Sequence, residues 1–195
     1  IVAHPVNPPY LVPVVEIVPA PWTSPDVVAR TRALMDAVGQ VPIVLKREID
    51  GFVLNRLQGA LLHEAFRLVE DGVADAEDID KTVRDGLGLR WSFMGPFETI
   101  DLNAPAGVDD YVARLGPMYL DLAEQRGAPK AWGDNLVAQV TMARRQELAK
   151  ADIETRTAWR DRRLMDLSAH KAAQRNADTT PPEHEDVASR IKPAR

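Results

Sequence analysis

The chain contains no cysteine among its 195 residues. This absence excludes disulfides, cysteine-based zinc sites and a thiol nucleophile, and it agrees with the reducing cytoplasm where we expect the protein to reside. The sequence also lacks an uninterrupted apolar run near the roughly 20 residues that a membrane span requires, because prolines and charged residues break every candidate. The formal net charge of −5 argues against nucleic acid or an anionic membrane as a partner.

Two kinds of binding motif are missing as well. The histidines, aspartates and glutamates do not show the spacing of metal ligands, so we predict no metal site. The single Gly-x-Gly, Gly86 to Gly88, follows a predicted helix and has Trp91 where a dinucleotide-binding loop has its third glycine. The plainer interpretation is a loop after the end of a helix. Ile1 lies in mid-strand, so we expect the missing nucleotide-binding motif to precede it.

The first quarter of the chain predicts the end of an α/β sheet. Residues 1–46 give the order strand, strand, helix, strand. Thr23 or Ser24 is a good N-cap for the helix, Pro25 suits its first position, and Gly39 is expected to end it in a left-handed conformation.

From residue 50 onward the pattern is almost wholly helical. A long helix from Phe52 to about Asp71 has apolar residues on more than one side, so we expect it to be central and buried. A second helix begins after Asp75 and is predicted to end at Gly86 and Gly88. Further helices are predicted as far as residue 174, and residues 176–195 are predicted to form a loosely held tail.

His4 and Glu16 are the first candidate site residues. His4 ends the first predicted strand, and the following run, residues 11–18, is apolar except for Glu16. A carboxylate in such a run requires a partner, and His4 is the nearest candidate in sequence. An imidazole held by a carboxylate is a general acid or base with a defined tautomer. Alternatively, His4 caps the end of the strand and Glu16 lies on a solvated face.

The pattern around these residues resembles a known family. The sequence His-Pro-x-Asn-Pro-Pro at residues 4–9, followed by an apolar run with an embedded glutamate, is similar to the active-site segment of the L-3-hydroxyacyl-CoA dehydrogenase superfamily. It is most similar to the λ-crystallin and L-gulonate 3-dehydrogenase branch. The resemblance implies that His4 is the catalytic acid and base and that Glu16 orients it.

Two further segments match the family in the same order. The first is Gly-Phe-x-x-Asn-Arg at residues 51–56, where the resemblance implies that Asn55 holds the substrate oxygen. From the residues alone, Asn55 could equally bond backbone groups near the helix start. The second is residues 88–97, where Gly-Leu-Arg before an aromatic is similar to the λ-crystallin and carnitine dehydrogenase branches. Arg90 is then a candidate clamp for a substrate carboxylate, the alternative being a surface arginine.

The resemblance implies a mainly α protein. Residues 1–46 would be the last strands of a truncated Rossmann-type NAD-binding domain. Residues 50–175 would be an all-α substrate and dimerisation domain like the C-terminal domain of 6-phosphogluconate dehydrogenase. The full-length protein would form a homodimer and oxidise the 3-hydroxyl of a small, L-gulonate-like hydroxy acid with NAD. The chain by itself is expected neither to bind NAD nor to turn over substrate.

Two alternatives remain open. The substrate could be 3-hydroxybutyryl-CoA or another 3-hydroxyacyl-CoA, although Arg90 and the missing Lys-x-Gly-x-Gly-Phe-Tyr signature of that branch argue against it. The chain could also be a non-catalytic, crystallin-type dimerisation module, which leaves the spacing of His4 and Glu16 unexplained.

Overall fold

A computed structural model describes residues 1–128 and 130–179 of the chain. Its first part is a three-stranded sheet in the order β1-β2-β3, formed by β1 (Val2–Pro5), β2 (Val14–Val18) and β3 (Val41–Val44). The central strand β2 pairs antiparallel with β1 and parallel with β3. Helix α1 (Pro25–Ala37) connects β2 to β3, so the three form the βαβ crossover that a parallel pair of strands requires.

The ends of α1 are set by local chemistry, as predicted. The Ser24 side chain is the N-cap and accepts a hydrogen bond of 3.4 Å from the Val27 amide. Pro25 occupies the first helical turn, where its missing amide is not needed. Gly39 lies just beyond the helix with a φ of 79°, a left-handed conformation that glycine adopts without a steric penalty.

The central strand β2 carries more buried side chains than any other described element. Val15, Ile17 and Val18 are 3%, 0% and 2% exposed, and Glu16 between them is 0% exposed. Successive residues of a strand point to opposite faces of the sheet, so both faces of β2 are covered. A carboxylate at this position is therefore inside the protein and must be paired there.

The remaining described residues are helical. They form α2 (Leu54–Glu70), α3 (Ala76–Lys81), a π-helix (Thr82–Leu87), α4 (Gly88–Trp91), α5 (Pro96–Leu102), α6 (Val108–Gln125), α7 (Asp134–Glu147), a 3₁₀ turn (Lys150–Asp152) and α8 (Ile153–Thr179). None of the helices within the described ranges is long and apolar enough to cross a bilayer. Residues 180–195, most of the predicted tail, lie outside the described residues.

The expectation that the long helix is central and buried is wrong. Helix α2 has one buried residue, Val69, while Leu57, Leu61 and Leu62 are 63%, 37% and 37% exposed. Its large apolar residues lie together on one half of the helix rather than on several sides, and the described neighbours α3 and α7 leave part of that surface uncovered. Part of the apolar surface of α2 is thus exposed instead of forming a core.

The predicted end of a helix at Gly86 and Gly88 is also wrong. The chain continues after α3 as the π-helix and then α4, and Gly88 has an ordinary helical φ of −66°. A Cβ at Gly88 would lie 2.8 Å from the Val83 carbonyl oxygen, closer than real side chains approach. Glycine here permits close winding instead of a stop, and Arg90 consequently lies in a helix rather than in a loop.

Candidate active site

The pairing of β1 with β2 brings the first two predicted site residues together. The antiparallel register places His4 directly opposite Glu16, so their side chains share one face of the sheet. The distance from His4 Nδ1 to Glu16 Oε2 is 3.0 Å, a hydrogen bond. The predicted contact between the imidazole and the carboxylate is present.

The N-terminus of α2 holds the other oxygen of the same carboxylate. The amides of Val53 and Leu54 donate to Glu16 Oε1 at 2.8 and 2.9 Å. The first amides of a helix have no partner within the helix, and the positive end of the helix dipole favours an anion. Glu16 is therefore a buried anchor joining the sheet to the helical part, and the alternative of a solvated strand face does not apply to it.

These contacts determine the charge of Glu16. Burial alone raises the pKa of a carboxyl, because it penalises the charged form. The hydrogen bonds from the Leu54 amide, from His4 and from the Val53 amide outweigh burial and hold the pKa of Glu16 below its ordinary value. Glu16 is consequently an ionised carboxylate at neutral pH.

The charge of Glu16 in turn determines the tautomer of His4. An ionised carboxylate only accepts hydrogen bonds, so Nδ1 of His4 must carry the proton that is shared with it. The lone pair of a neutral imidazole is then on Nε2, which bonds to none of the residues the structure describes. The His4 side chain is 37% exposed. A nitrogen of this kind, in a partly exposed ring, is chemically able to accept a proton from a hydroxyl group.

Phe52 is a neighbour of His4 that the sequence analysis did not single out. The Phe52 ring and the imidazole have centroids 5.4 Å apart and planes at 68°. Phe52 has a φ of 49°, directly after Gly51 with a φ of 76°. The dipeptide Asp50-Gly51 favours a turn, but no feature of the sequence indicates a left-handed conformation in the bulky residue after it.

Asn55 lies in the first turn of α2, one residue beyond the amides that hold Glu16. It was expected to be in a buried helix, and that is wrong, since the side chain is exposed. Its amide makes no hydrogen bond with the described part of the chain. A side-chain amide of this kind, one residue along the helix from the amides that hold Glu16, is available to a ligand.

Arg90 lies in α4 and is half-buried. Its Nε is buried and has no hydrogen-bond partner among the described residues. The nearby Tyr111 has a raised pKa, chiefly because its hydroxyl shares a hydrogen bond of 2.8 Å with Tyr119, while the Arg90 charge acts in the opposite direction. The two tyrosines were missed because their spacing on α6 resembles that of packing residues. No hydrogen bond or ion pair joins Arg90 to His4 or Glu16 within the described ranges.

The fold and the site together define a protein in which a hydrogen-bonded histidine and carboxylate on a small mixed sheet meet the first turn of a helical region. The chain belongs to the 3-hydroxyacyl-CoA dehydrogenase family. Residues 1–49 match the family model described as its NAD binding domain, and residues 51–151 match the one described as its C-terminal domain. The boundary between the two models coincides with the turn before α2. His4 and Glu16 lie in the first match, and Asn55 and Arg90 lie in the second.

Similar proteins agree with this membership. The λ-crystallin of Oryctolagus cuniculus is 45% identical over 174 residues, which are 88% of this chain and 54% of that protein. The L-carnitine dehydrogenase of Pseudomonas putida is 37% identical over 85% of this chain and 51% of that protein. The crystal structure of 5-formyl-3-hydroxy-2-methylpyridine 4-carboxylic acid 5-dehydrogenase, an NAD⁺-dependent dismutase, has a TM-score of 0.69 at 29% identity, covering 88% of this chain and 55% of that one. The chain spans about half the length of the curated relatives it matches.

The N-termini of α1 and α2, the two helices that begin beside the sheet, are both occupied by side chains of the chain itself. A dinucleotide pyrophosphate is bound by the free amides of a helix N-terminus after a glycine-rich turn. At α1, the Val27 amide already donates to the Ser24 side chain, and the negative charge of Asp26 in the first turn would repel a phosphate. The other candidate N-terminus, that of α2, is taken by Glu16. In the described ranges, no group of three or more potential metal-ligating side chains is arranged to hold an ion.

Proposed function

We propose that the full-length protein is an NAD-dependent dehydrogenase that oxidises the 3-hydroxyl of a small, L-gulonate-like hydroxy acid. The observation that carries the proposal is the hydrogen bond between His4 Nδ1 and the buried Glu16 carboxylate. In the neutral imidazole a proton shared with Glu16 at Nδ1 leaves the lone pair on Nε2, in a side chain that is partly exposed. That is the arrangement of a general base for an alcohol. Membership of the 3-hydroxyacyl-CoA dehydrogenase family supports the same reaction class.

The residues of the site divide the proton chemistry between them. As the substrate hydroxyl loses its proton to His4 Nε2, the imidazole becomes an imidazolium. The Glu16 carboxylate stabilises that positive charge through Nδ1, 3.0 Å away. The Val53 and Leu54 amides keep Glu16 ionised throughout, so the proton remains on the imidazole. NAD, when bound, supplies the acceptor for the hydride that leaves the same carbon.

Two further side chains would bind the substrate. The Asn55 amide, exposed beside the pair, would hold the oxygen that becomes a carbonyl. Arg90 would bind the carboxylate of the hydroxy acid, because a guanidinium with a buried, unpaired Nε gains most from a planar anion. A similar solved structure belongs to a dehydrogenase whose named compound is a carboxylic acid, which supports an acidic substrate.

A panel of substrates would test the proposal. We expect the full-length protein to oxidise free 3-hydroxy acids faster than 3-hydroxyacyl-CoA thioesters. We expect Arg90→Lys to raise KM for the free acids about 10-fold or more, since a bidentate contact with an anion is worth about 1.5–3 kcal/mol. Steady-state kinetics with NAD reduction as the signal would measure both. Arg84→Lys is the matched control, because the Arg84 side chain is exposed and pairs only with Asp85 among the described groups. Faster turnover of the thioesters would instead favour the acyl-CoA dehydrogenase alternative.

We propose in addition that the protein is a homodimer through its helical part. Large apolar side chains are exposed on several helices, including Leu57 at 63%, Leu120 at 61%, Met142 at 65% and Met165 at 58%. Exposed apolar surface on this scale marks a contact between proteins, and a second copy of the chain would present the complementary surface.

Sedimentation of the full-length protein at micromolar concentration should therefore give the mass of a dimer. Replacing Leu57 with aspartate should shift the equilibrium towards the monomer, because association would bury the new charge. A wild-type protein that sediments as a monomer would contradict the proposal. Asp109→Asn is the control, because Asp109 is a charged, exposed residue on α6. This change should leave the dimer intact.

A further inference from the structure

Phe52 combines two features that the roles of His4 and Glu16 do not explain. It is a bulky residue with a left-handed φ of 49°, and its ring packs at a steep angle against the catalytic imidazole. Positive φ is uncommon outside glycine and is a genuine outlier for a large side chain. Backbone strain of this kind persists only where the surrounding structure enforces it, and it is concentrated at functional sites.

The local structure shows how the conformation arises. A turn closes with a hydrogen bond of 3.1 Å from the Phe52 amide to the Ile49 carbonyl oxygen. Gly51 and Phe52 are then both left-handed, and the chain enters α2 directly afterwards. This entry points the next two amides, of Val53 and Leu54, at Glu16. The same turn therefore positions the amides on the carboxylate and the aromatic ring on the imidazole.

The contact with Glu16 alone does not fix the orientation of the imidazole. A single hydrogen bond at Nδ1 holds one atom of the ring, and the bond is lost when the imidazole turns about its Cβ–Cγ bond, which also permits the Nε2–H tautomer. The Phe52 ring, with its plane at 68° to the imidazole, restricts that motion. We propose that Phe52 is a positioning residue that, together with Glu16, holds the imidazole of His4 so that Nε2 points to the substrate. This inference rests on the proposed dehydrogenase function for its kinetic consequence only.

The test separates the ring from the backbone conformation. Asn is among the residues that tolerate a left-handed φ, so Phe52→Asn keeps the turn and removes the ring. Phe52→Leu also removes the ring and keeps most of its volume, and it serves if the Asn variant does not fold. Phe52→Tyr retains the ring and should behave as the wild type. Phe66→Leu is the matched control, because Phe66 is likewise half-buried and stacks on Trp132 at a centroid distance of 4.4 Å.

Two measurements on the full-length protein decide the matter. In ¹⁵N spectra of the histidine side chains, assigned with His4→Ala, the wild type should show the Nδ1–H tautomer of His4 alone, and the Asn and Leu variants a mixture with Nε2–H. Their kcat should fall about 3- to 10-fold with unchanged KM, as expected from the strength of an aromatic pair. Phe66→Leu should change neither. A single tautomer in both variants would overturn the proposal, whether or not kcat falls, because the ring would not then act through His4. If the protein oxidises no hydroxy acid, the proposed function has failed, and a mixture of tautomers still supports the positioning role.

Discussion

His4→Ala in the full-length protein should lower kcat for a 3-hydroxy acid by about 10²–10⁴-fold, the usual contribution of a positioned general base. The imidazole accepts the proton during the reaction but contributes little to ground-state binding, so KM should change far less than kcat. The fold should persist, because Glu16 keeps both amide hydrogen bonds from the start of α2. Steady-state kinetics combined with a thermal melt would measure both properties.

His170→Ala is the control for the removal of a histidine, since His170 is exposed on α8, far along the chain from β1. It should leave kcat unchanged. The same comparison separates the enzyme from the alternative of a non-catalytic, crystallin-type module. If His4→Ala and His170→Ala are equally active, the assignment of His4 as the base is wrong and the structural alternative gains support.

The contact between His4 and Glu16 could be predicted because it depends on simple rules. An acid in an apolar strand requires a partner, and two consecutive strands usually pair, so a histidine at the end of the first was the natural candidate. The sequence could not decide whether Glu16 faces solvent. That depends on coverage of both faces of β2, which brings Glu16 to 0% exposure.

The rest of the site depends on backbone groups, which carry no sequence signal of their own. Any residue could have supplied the amides that Val53 and Leu54 direct at Glu16. Their direction follows from the left-handed turn at Gly51 and Phe52. Aromatic residues rarely adopt this conformation, so the sequence does not predict the turn. The contact between the N-terminus of α2 and the buried charge of Glu16 outweighs the backbone preference of Phe52.

The helical part was predicted well in extent and less well in detail. Glycines usually end helices, and Gly86 and Gly88 were interpreted in that way. Here the absence of a side chain at Gly88 allows close approach to the Val83 carbonyl, and the chain winds on as a π-helix. Such a choice is set by tertiary fit. The continued helix places Arg90 in α4 instead of in a loop. The kinetics of Arg90→Lys would show whether Arg90 binds a carboxylate from that position.

Glu16→Gln should lower kcat by about 10²–10⁴-fold although it removes only a charge. The glutamine oxygen can still accept from the Val53 and Leu54 amides, which places its NH₂ group opposite His4 Nδ1. An NH₂ group donates, so the neutral imidazole would have to accept at Nδ1 and carry its proton on Nε2. That tautomer cannot take a proton from the substrate. The ¹⁵N spectra of His4 should accordingly change from Nδ1–H to Nε2–H.

The same substitution has a stability effect with a defined dependence on pH. Because the folded protein holds the pKa of Glu16 below its ordinary value, ionised Glu16 stabilises the folded state above pH 4.5, the ordinary pKa of the group. This contribution is lost as the pH falls below 4.5 and through the folded pKa. At pH 7 we expect Glu16→Gln to lower the free energy of unfolding by about 1.5–3 kcal/mol, the worth of hydrogen bonds to a charged group. The difference from the wild type should shrink in acid, because glutamine does not titrate.

Urea unfolding at pH 7, 5 and 3.5 would measure this difference. Glu147→Gln is the control, because Glu147 is exposed at the end of α7 and forms no hydrogen bond or ion pair with the described residues. Glu147→Gln should hardly change the free energy of unfolding at any of the three pH values. A gap between wild type and Glu16→Gln that stays constant with pH would mean that the carboxylate is not held ionised by the fold. Glu16 would then not hold His4 in the Nδ1–H tautomer. Without that tautomer, His4 could not act as the base in the proposed oxidation.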